Sequence, residues 1–84
     1  MTDVVRFRSG TVQWSAAVEQ STVHVVPGVV IVRVDARAVE SVIGVEATLV
    51  RHIPSGDSLR LWHGRVVDVK PLGEHADVTI GDAS

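Results

Sequence analysis

The sequence contains no cysteine and no tyrosine, and it has only one phenylalanine, two tryptophans and three prolines. The lack of cysteine excludes disulfide bonds and thiolate metal sites. No basic run is present that would neutralise phosphates, and the few aromatic residues offer little surface on which bases could stack. We therefore expect neither a disulfide-stabilised scaffold nor a protein that attracts nucleic acid strongly.

The length and charge of the chain set further bounds. Its 84 residues predict one domain, 1–84, and the formal net charge is −2. The apolar run at 23–34 is too short for a membrane span and is interrupted by Pro27, Gly28 and Arg33. The N-terminal residues show no basic region followed by an apolar stretch, so we expect a protein without a secretion signal, made in a cytoplasm.

Valine dominates a hydrophobic content of 45%. Its branched Cβ suits the pleated, half-buried surface of a sheet. Short β-prone runs alternate with turn residues, which predicts an all-β domain, a small antiparallel β-barrel or sandwich of about six to seven strands with one long loop. A chain this short has a thin core, and oligomerisation often contributes to the stability of such domains.

The predicted strands follow the β-prone runs. They lie at 4–7, which 11–14 continues across a bulge or turn at Gly10, at 22–26, which resumes at 29–34 after Pro27-Gly28, and at 45–51, 59–62, 65–70 and 76–80. Turns are expected at Gly10, at 54–57 and at 71–75, with His63-Gly64 as a tight hairpin connection. Residues 15–21 are small and polar and are interpreted as a connection.

Segment 35–44 is open to two interpretations. It is a long loop, or a short helix capped by Asp35 and ended by Gly44. Functionally, it is a surface loop with an incidental Arg37–Glu40 ion pair, or a projecting loop that packs against a symmetry mate or lines a channel. The residues of that candidate channel loop are Arg37, Ala38, Val39, Glu40, Ser41 and Val42.

A candidate subunit interface consists of Trp14, Val30 and Val32. The strand at 29–34 is apolar at nearly every position, so both of its faces should be covered, and in so small a domain a neighbouring subunit is one candidate cover. Trp14 stands beside polar residues and suits a core or an interface equally, whereas Trp62 favours the core.

No catalytic or metal-binding constellation is apparent. The four histidines lack the spacing of a metal site, and His52, Ser55 and Asp57 fall in one turn, where local backbone hydrogen bonds are the simplest role. We therefore expect neither enzymatic activity nor a cofactor.

Several turn and strand motifs nevertheless form a recognisable order. They are Arg8-Ser9-Gly10-Thr11, Trp14-Ser15, Val26-Pro27-Gly28-Val29, Glu40-Ser41, His52-Ile53-Pro54-Ser55-Gly56-Asp57, Trp62-His63-Gly64-Arg65 through Val69, and Pro71 through Ile80. In this order the chain resembles the small head-closure (stopper) proteins at the head-to-tail connector of tailed bacteriophages. The resemblance covers most of the chain.

The resemblance implies a structural role in the neck of a siphovirus-like virion that is assembled in the host cytoplasm. Such proteins form a homo-oligomeric ring between the portal or adaptor and the tail terminator or tail tube. DNA passes through the channel without sequence-specific binding, and a loop from each subunit helps to retain it. Residues 35–44 match that loop in position.

A second interpretation is a small ligand- or partner-binding β-barrel. Residues 64–80 somewhat resemble a strand pair in the accessory domains of transporter ATPases. Such a module would bind an anion through backbone amides near glycines and would form a small, defined oligomer.

Overall fold

The computed structural model describes residues 2–21, 28–40 and 42–82 and forms an all-β domain, which confirms the predicted class. The predicted strand at 22–26 lies outside the described residues. The elements are β1 (Thr2–Ser9), β2 (Val12–Ala17), β3 (Gln20–Ser21), β4 (Val29–Asp35), a 3₁₀ helix (Ala36–Val39), β5 (Glu46–His52), β6 (Ser58–Leu72) and β7 (His75–Gly81).

The described strands form one antiparallel, seven-stranded sheet in the order β2-β1-β5-β6-β7-β4-β3. Its two outermost strands, β2 and β3, are separated in the chain by only Val18 and Glu19. The Val18 amide donates to Asp3 of β1 and the Glu19 amide donates to Arg33 of β4, each at 2.9 Å. The chain thus passes directly from one edge of the sheet to the other, and the sheet curls into a half-barrel.

Alternate residues of the strands point into the curl and form one core. The largest fully buried side chains include Phe7, Leu49 and Ile80. Valines from β1, β4, β6 and β7 fill the space between them. Residues Ala47 and Leu49 share the inward face of β5.

Strand β6 differs most from the prediction. It runs without interruption through 58–72, so the hairpin connection predicted at His63-Gly64 is wrong. Up to Arg65 it pairs with β5, and from Val66 it pairs with β7. This change of partner requires glycine at position 64, because a Cβ there would overlap the backbone carbonyl of Gly81.

The predicted connection at 15–21 is also wrong in part. Ser15, Ala16 and Ala17 continue β2, and Gln20 with Ser21 forms β3. Pairing with β1 and β4 outweighs the weak strand propensity of these small and polar residues. The turns at Gly10 and Gly73 are confirmed, and both glycines have a positive φ, 62° and 68°, which a residue with a side chain adopts less readily.

Candidate functional site: two charged faces of the sheet

A polar surface covers the outer side of β2, β1, β5 and the first half of β6. Val5 and Phe7 point into the core, so Arg6 and Arg8 point outward. The strand register aligns them with outward residues of the neighbouring strands in two rows. We call this surface the arginine face; its members are Arg6, Arg8, Gln13, Ser15, Glu46, Thr48, His63 and Arg65.

The arginine face is positively charged, with three arginines and one glutamate. Arg6 and Arg8 make no ion pair with any residue that the structure describes. Two residues apart on one strand, they stand about 7 Å from each other. Arg65 donates to the carbonyl of Gly44 at 3.1 Å, which leaves its charge without a carboxylate. The free charge of this face is therefore concentrated on β1.

His63 contacts both Thr48 and Glu46 on the arginine face. Its Nδ1 lies 2.7 Å from Thr48 Oγ1, and its Nε2 lies 3.4 Å from Glu46 Oε1. All three side chains are half-buried. These contacts fix the orientation of Glu46 toward His63.

A groove of about 410 Å³ lies on this face, between Arg6, Arg8 and Gln13 among others. Phe7 and Trp14 also contribute to its lining. Trp14 stacks on Phe7, with ring centroids 5.4 Å apart, and its Nε1 donates to the carbonyl of Ala38 at 2.9 Å. The polar groups of the groove are therefore guanidinium, amide, hydroxyl and carboxylate groups, beside an aromatic pair that is already stacked on itself.

The outer side of the other half of the sheet has the opposite charge. Val30, Val32, Val78 and Ile80 point into the core, so their strand neighbours point outward. Five carboxylates and three cations lie on this surface or at its margin. We call it the acidic face; its members are Glu19, Ile31, Arg33, Asp35, Arg37, Asp68, Lys70, Leu72, Glu74, His75, Asp77 and Thr79.

Ion pairs neutralise part of the acidic face. Arg33 donates to both oxygens of Asp77, at 2.9 and 3.3 Å, and these bonds lower the pKa of Asp77 despite the opposing effect of burial. The side chain and the backbone N–H of Arg37 both donate to Asp35 and lower its pKa to about 2. Asp35 thus caps the 3₁₀ helix, as one of the two interpretations of segment 35–44 predicts.

The other three carboxylates of this face differ in their partners: one contacts a histidine and two form no ion pair in the described residues. His75 Nε2 lies 2.7 Å from Glu19 Oε2, whereas Asp68 and Glu74 are exposed and form no ion pair within the described part of the chain. Among the described residues, the arginine face therefore carries three arginines without a carboxylate partner, and the acidic face carries two carboxylates without a cationic partner, beside Lys70, which makes no ion pair either.

The candidate channel loop is largely part of the domain core. Val39 and Val42 are buried, at 3% and 1% exposure, and Ala38 is half-buried. Arg37 and Glu40 are exposed, and Ser41 lies outside the described residues. The buried valines therefore anchor the segment to the core, and Arg37 and Glu40 are its most exposed described members between 37 and 42.

The candidate interface residues also lie mainly inside. Val30 and Val32 have 0% exposure and pack in the domain's own core, so neither side chain is on the surface. Trp14 is half-buried, with its ring stacked on Phe7. The apolar character of β4 is explained by this core and by the partial burial of Val29 and Ile31 on the other side.

No hydrogen bond of the described structure joins His52 to Ser55 or to Asp57. His52 Nδ1 lies 3.0 Å from Ser58 Oγ, whereas Ser55 donates to Asp57 at 3.4 Å. Among the described residues, no group of three or more His, Asp or Glu side chains is placed to hold a metal ion. Within the same residues, no helix has the length and apolar character needed to cross a membrane.

The arginine face was not among the sequence-based candidates, although a signal for it exists. Arg6 and Arg8 alternate with buried residues, and the turn at Gly10 places Gln13 and Ser15 opposite them. If the first two strands are paired as one hairpin, the sequence predicts that these four polar side chains lie on the same face. No protein-family model, curated protein or solved structure matches the chain.

Proposed function

We propose that the chain is a structural head-to-tail connector, or stopper, of a tailed phage. In this proposal, copies form a ring between the portal or adaptor and the tail, and the ring helps to retain packaged DNA. The observation that carries the proposal is where the motifs that resemble those of head-closure proteins lie in the fold. Gly10 and Gly73 occupy tight turns, as the resemblance implies, whereas Gly64 lies within β6 and not in a hairpin.

The fold supports the proposal in a second way. An antiparallel half-barrel of 84 residues presents two broad outer faces of opposite charge, which suits a subunit with a neighbour on each side. Arg37 and Glu40 are the exposed members of the candidate channel loop and are available to face a channel. Asp35 neutralises Arg37, so this part of the surface would not hold passing DNA tightly.

The test of this function is the location of the protein in virions of the phage that encodes it. Antibody labelling or a reconstruction of purified particles should place it at the neck. A phage that lacks the gene should produce filled heads that lose DNA and do not join tails, and the wild-type gene supplied in trans should restore them. Particles that retain DNA and join tails without the protein would contradict the proposal.

One observation favours the second candidate, a small ligand- or partner-binding module. The groove on the arginine face brings Arg6 and Arg8, which have no carboxylate partner in the described structure, next to Gln13. Calorimetric titration with inorganic phosphate and with citrate tests it. Saturable binding that is lost in an Arg6→Gln/Arg8→Gln variant would favour this candidate over the connector.

A further inference from the structure

The two charged faces point in opposite directions. The inner side chains of β1, β5, β4 and β7 all belong to one core cluster of the curled sheet, so the outer sides of the two halves face away from each other. The charges at their surfaces are therefore separated by the thickness of the domain. Such an arrangement gives one molecule two complementary surfaces.

We propose that the arginine face of one copy binds the acidic face of a second copy. Because the two surfaces differ, the contact is heterologous, and repetition leads to a ring when the rotation between copies closes. The closed ring rests on the proposed function. The contact itself rests only on the two faces.

The charges without partners provide the electrostatic part of this contact. Arg6 and Arg8 are on one side, and Asp68 and Glu74 are on the other. Complementary charges at a contact raise the association rate and select the orientation. The contact would neutralise groups that have no carboxylate or cationic partner in the described parts of the isolated domain.

Exposed apolar side chains accompany both sets of charges. Ile43, 61% exposed, shares a groove with Arg8 and Arg65 at the margin of the arginine face. Leu72, 39% exposed, lies within the acidic face. Apolar contact between copies would add burial to the electrostatic attraction, as protein interfaces usually require.

The arginine face suits a protein partner better than a nucleic acid. Glu46 stands in the middle of the face and would repel the uniformly anionic backbone of a nucleic acid, whereas the acidic face also carries Lys70, a cation that can lie opposite Glu46. Phe7 is buried, at 1% exposure, and Trp14 stacks on it and donates to Ala38, so neither ring is free to stack on bases.

The test is sedimentation of the purified protein with two charge-reversed variants, Arg6→Glu/Arg8→Glu and Asp68→Lys/Glu74→Lys. Wild-type protein should self-associate at low salt and dissociate at about 0.5 M salt, where charges are strongly screened. Each variant alone should associate at least about tenfold more weakly. An equimolar mixture should recover association, because each variant retains the face that the other has lost.

A matched control and the contrary outcomes make the test decisive. Asp57→Lys, in the turn between β5 and β6, changes an exposed carboxylate outside both faces and should leave association unchanged. A wild-type protein that stays monomeric at low salt, or variants that associate as strongly as wild type, would overturn the contact. Binding of a DNA duplex by wild type but not by Arg6→Glu/Arg8→Glu, without self-association, would also overturn it, in favour of a nucleic-acid surface.

The failure of this contact is distinguishable from the failure of the proposed function. If the protein lies at the neck and the charge-reversed variants still assemble there, the contact is wrong and the connector role stands. If purified copies associate through the two faces but virions lack the protein, the connector role is wrong and the contact stands.

Discussion

Gly64 in β6 lies directly against the backbone carbonyl of Gly81 at the end of β7. Trp62, two residues earlier on the same side of β6, donates its Nε1 hydrogen to that carbonyl at 3.3 Å. The contact occurs where β6 leaves β5 and begins to pair with β7. The absence of a side chain at Gly64 thus allows one strand to serve both halves of the sheet.

Replacing Gly64 by alanine should destabilise the domain strongly, by about 3 kcal/mol or more, because backbone atoms must move to admit the methyl group. Gly81→Ala is the matched control. A Cβ at Gly81 would meet the Val67 side chain at 3.2 Å, which can adjust, and the Arg65 carbonyl at 3.8 Å, an ordinary contact distance. Chemical denaturation of both variants measures the difference, and equal stabilities would show that the close contact does not constrain β6.

The Val42 and Ile43 side chains offer a test of how segment 36–44 packs. Val42 is buried, so Val42→Ala should lower the free energy of unfolding by about 1.5–3 kcal/mol. Ile43 is exposed, so Ile43→Ala should change it by less than about 0.5 kcal/mol. Thermal or chemical denaturation gives both values. A stable Val42→Ala variant would indicate that the segment is a detachable loop.

Trp14→Phe tests the attachment of the 3₁₀ helix to β2. Phenylalanine keeps an aromatic ring against Phe7 but removes the hydrogen bond from Nε1 to Ala38. We expect a loss of about 1 kcal/mol in the free energy of unfolding and faster amide exchange at 36–39. Unchanged exchange rates at the helix would mean that Val39 and Val42 hold it without this bond.

The ion pair between Asp3 and Arg51 predicts a pH-dependent contribution to stability. Arg51 donates to both carboxylate oxygens, at 2.8 and 3.1 Å, and these bonds lower the pKa of Asp3 below its ordinary value of 3.8. The unfolded chain therefore takes up this proton at a higher pH than the folded one. The pair stabilises the domain above about pH 4, and the effect is lost as the pH falls through the folded-state pKa.

Denaturation of wild type and Asp3→Asn at several pH values measures this contribution. The difference should be about 1 kcal/mol near pH 6, since both side chains are partly exposed, and it should shrink toward pH 2. In an Arg51→Gln background, Asp3→Asn should have a smaller and less pH-dependent effect. A difference that stays constant with pH would assign the loss to packing instead of charge.

Much of the fold follows from local sequence signals. The turns at Gly10 and Gly73 are predictable because their conformations favour glycine, and the apolar alternation at Ala47 and Leu49 identifies the inward face of β5. The all-β class follows from the excess of valine. These signals depend only on neighbours in the sequence.

The features that the sequence did not reveal depend on distant partners. Gly64 suggests a turn when read locally, and only the position of Gly81 explains why it lies within a strand. In the sequence alone, Val30 and Val32 suggest that a neighbouring subunit covers their strand. Whether the domain's own core can bury them depends on how the whole sheet curls. The arginine face combines side chains from β1, β2, β5 and β6, so it becomes visible only once the strand order is known.

The fifteen residues of β6 supply backbone hydrogen bonds to β5 along one part and to β7 along the other. If either half of the sheet separates, this shared strand must lose its backbone hydrogen bonds to the other half. Cooperative melting in so small a domain is therefore a consequence of covalent continuity as well as of buried apolar surface.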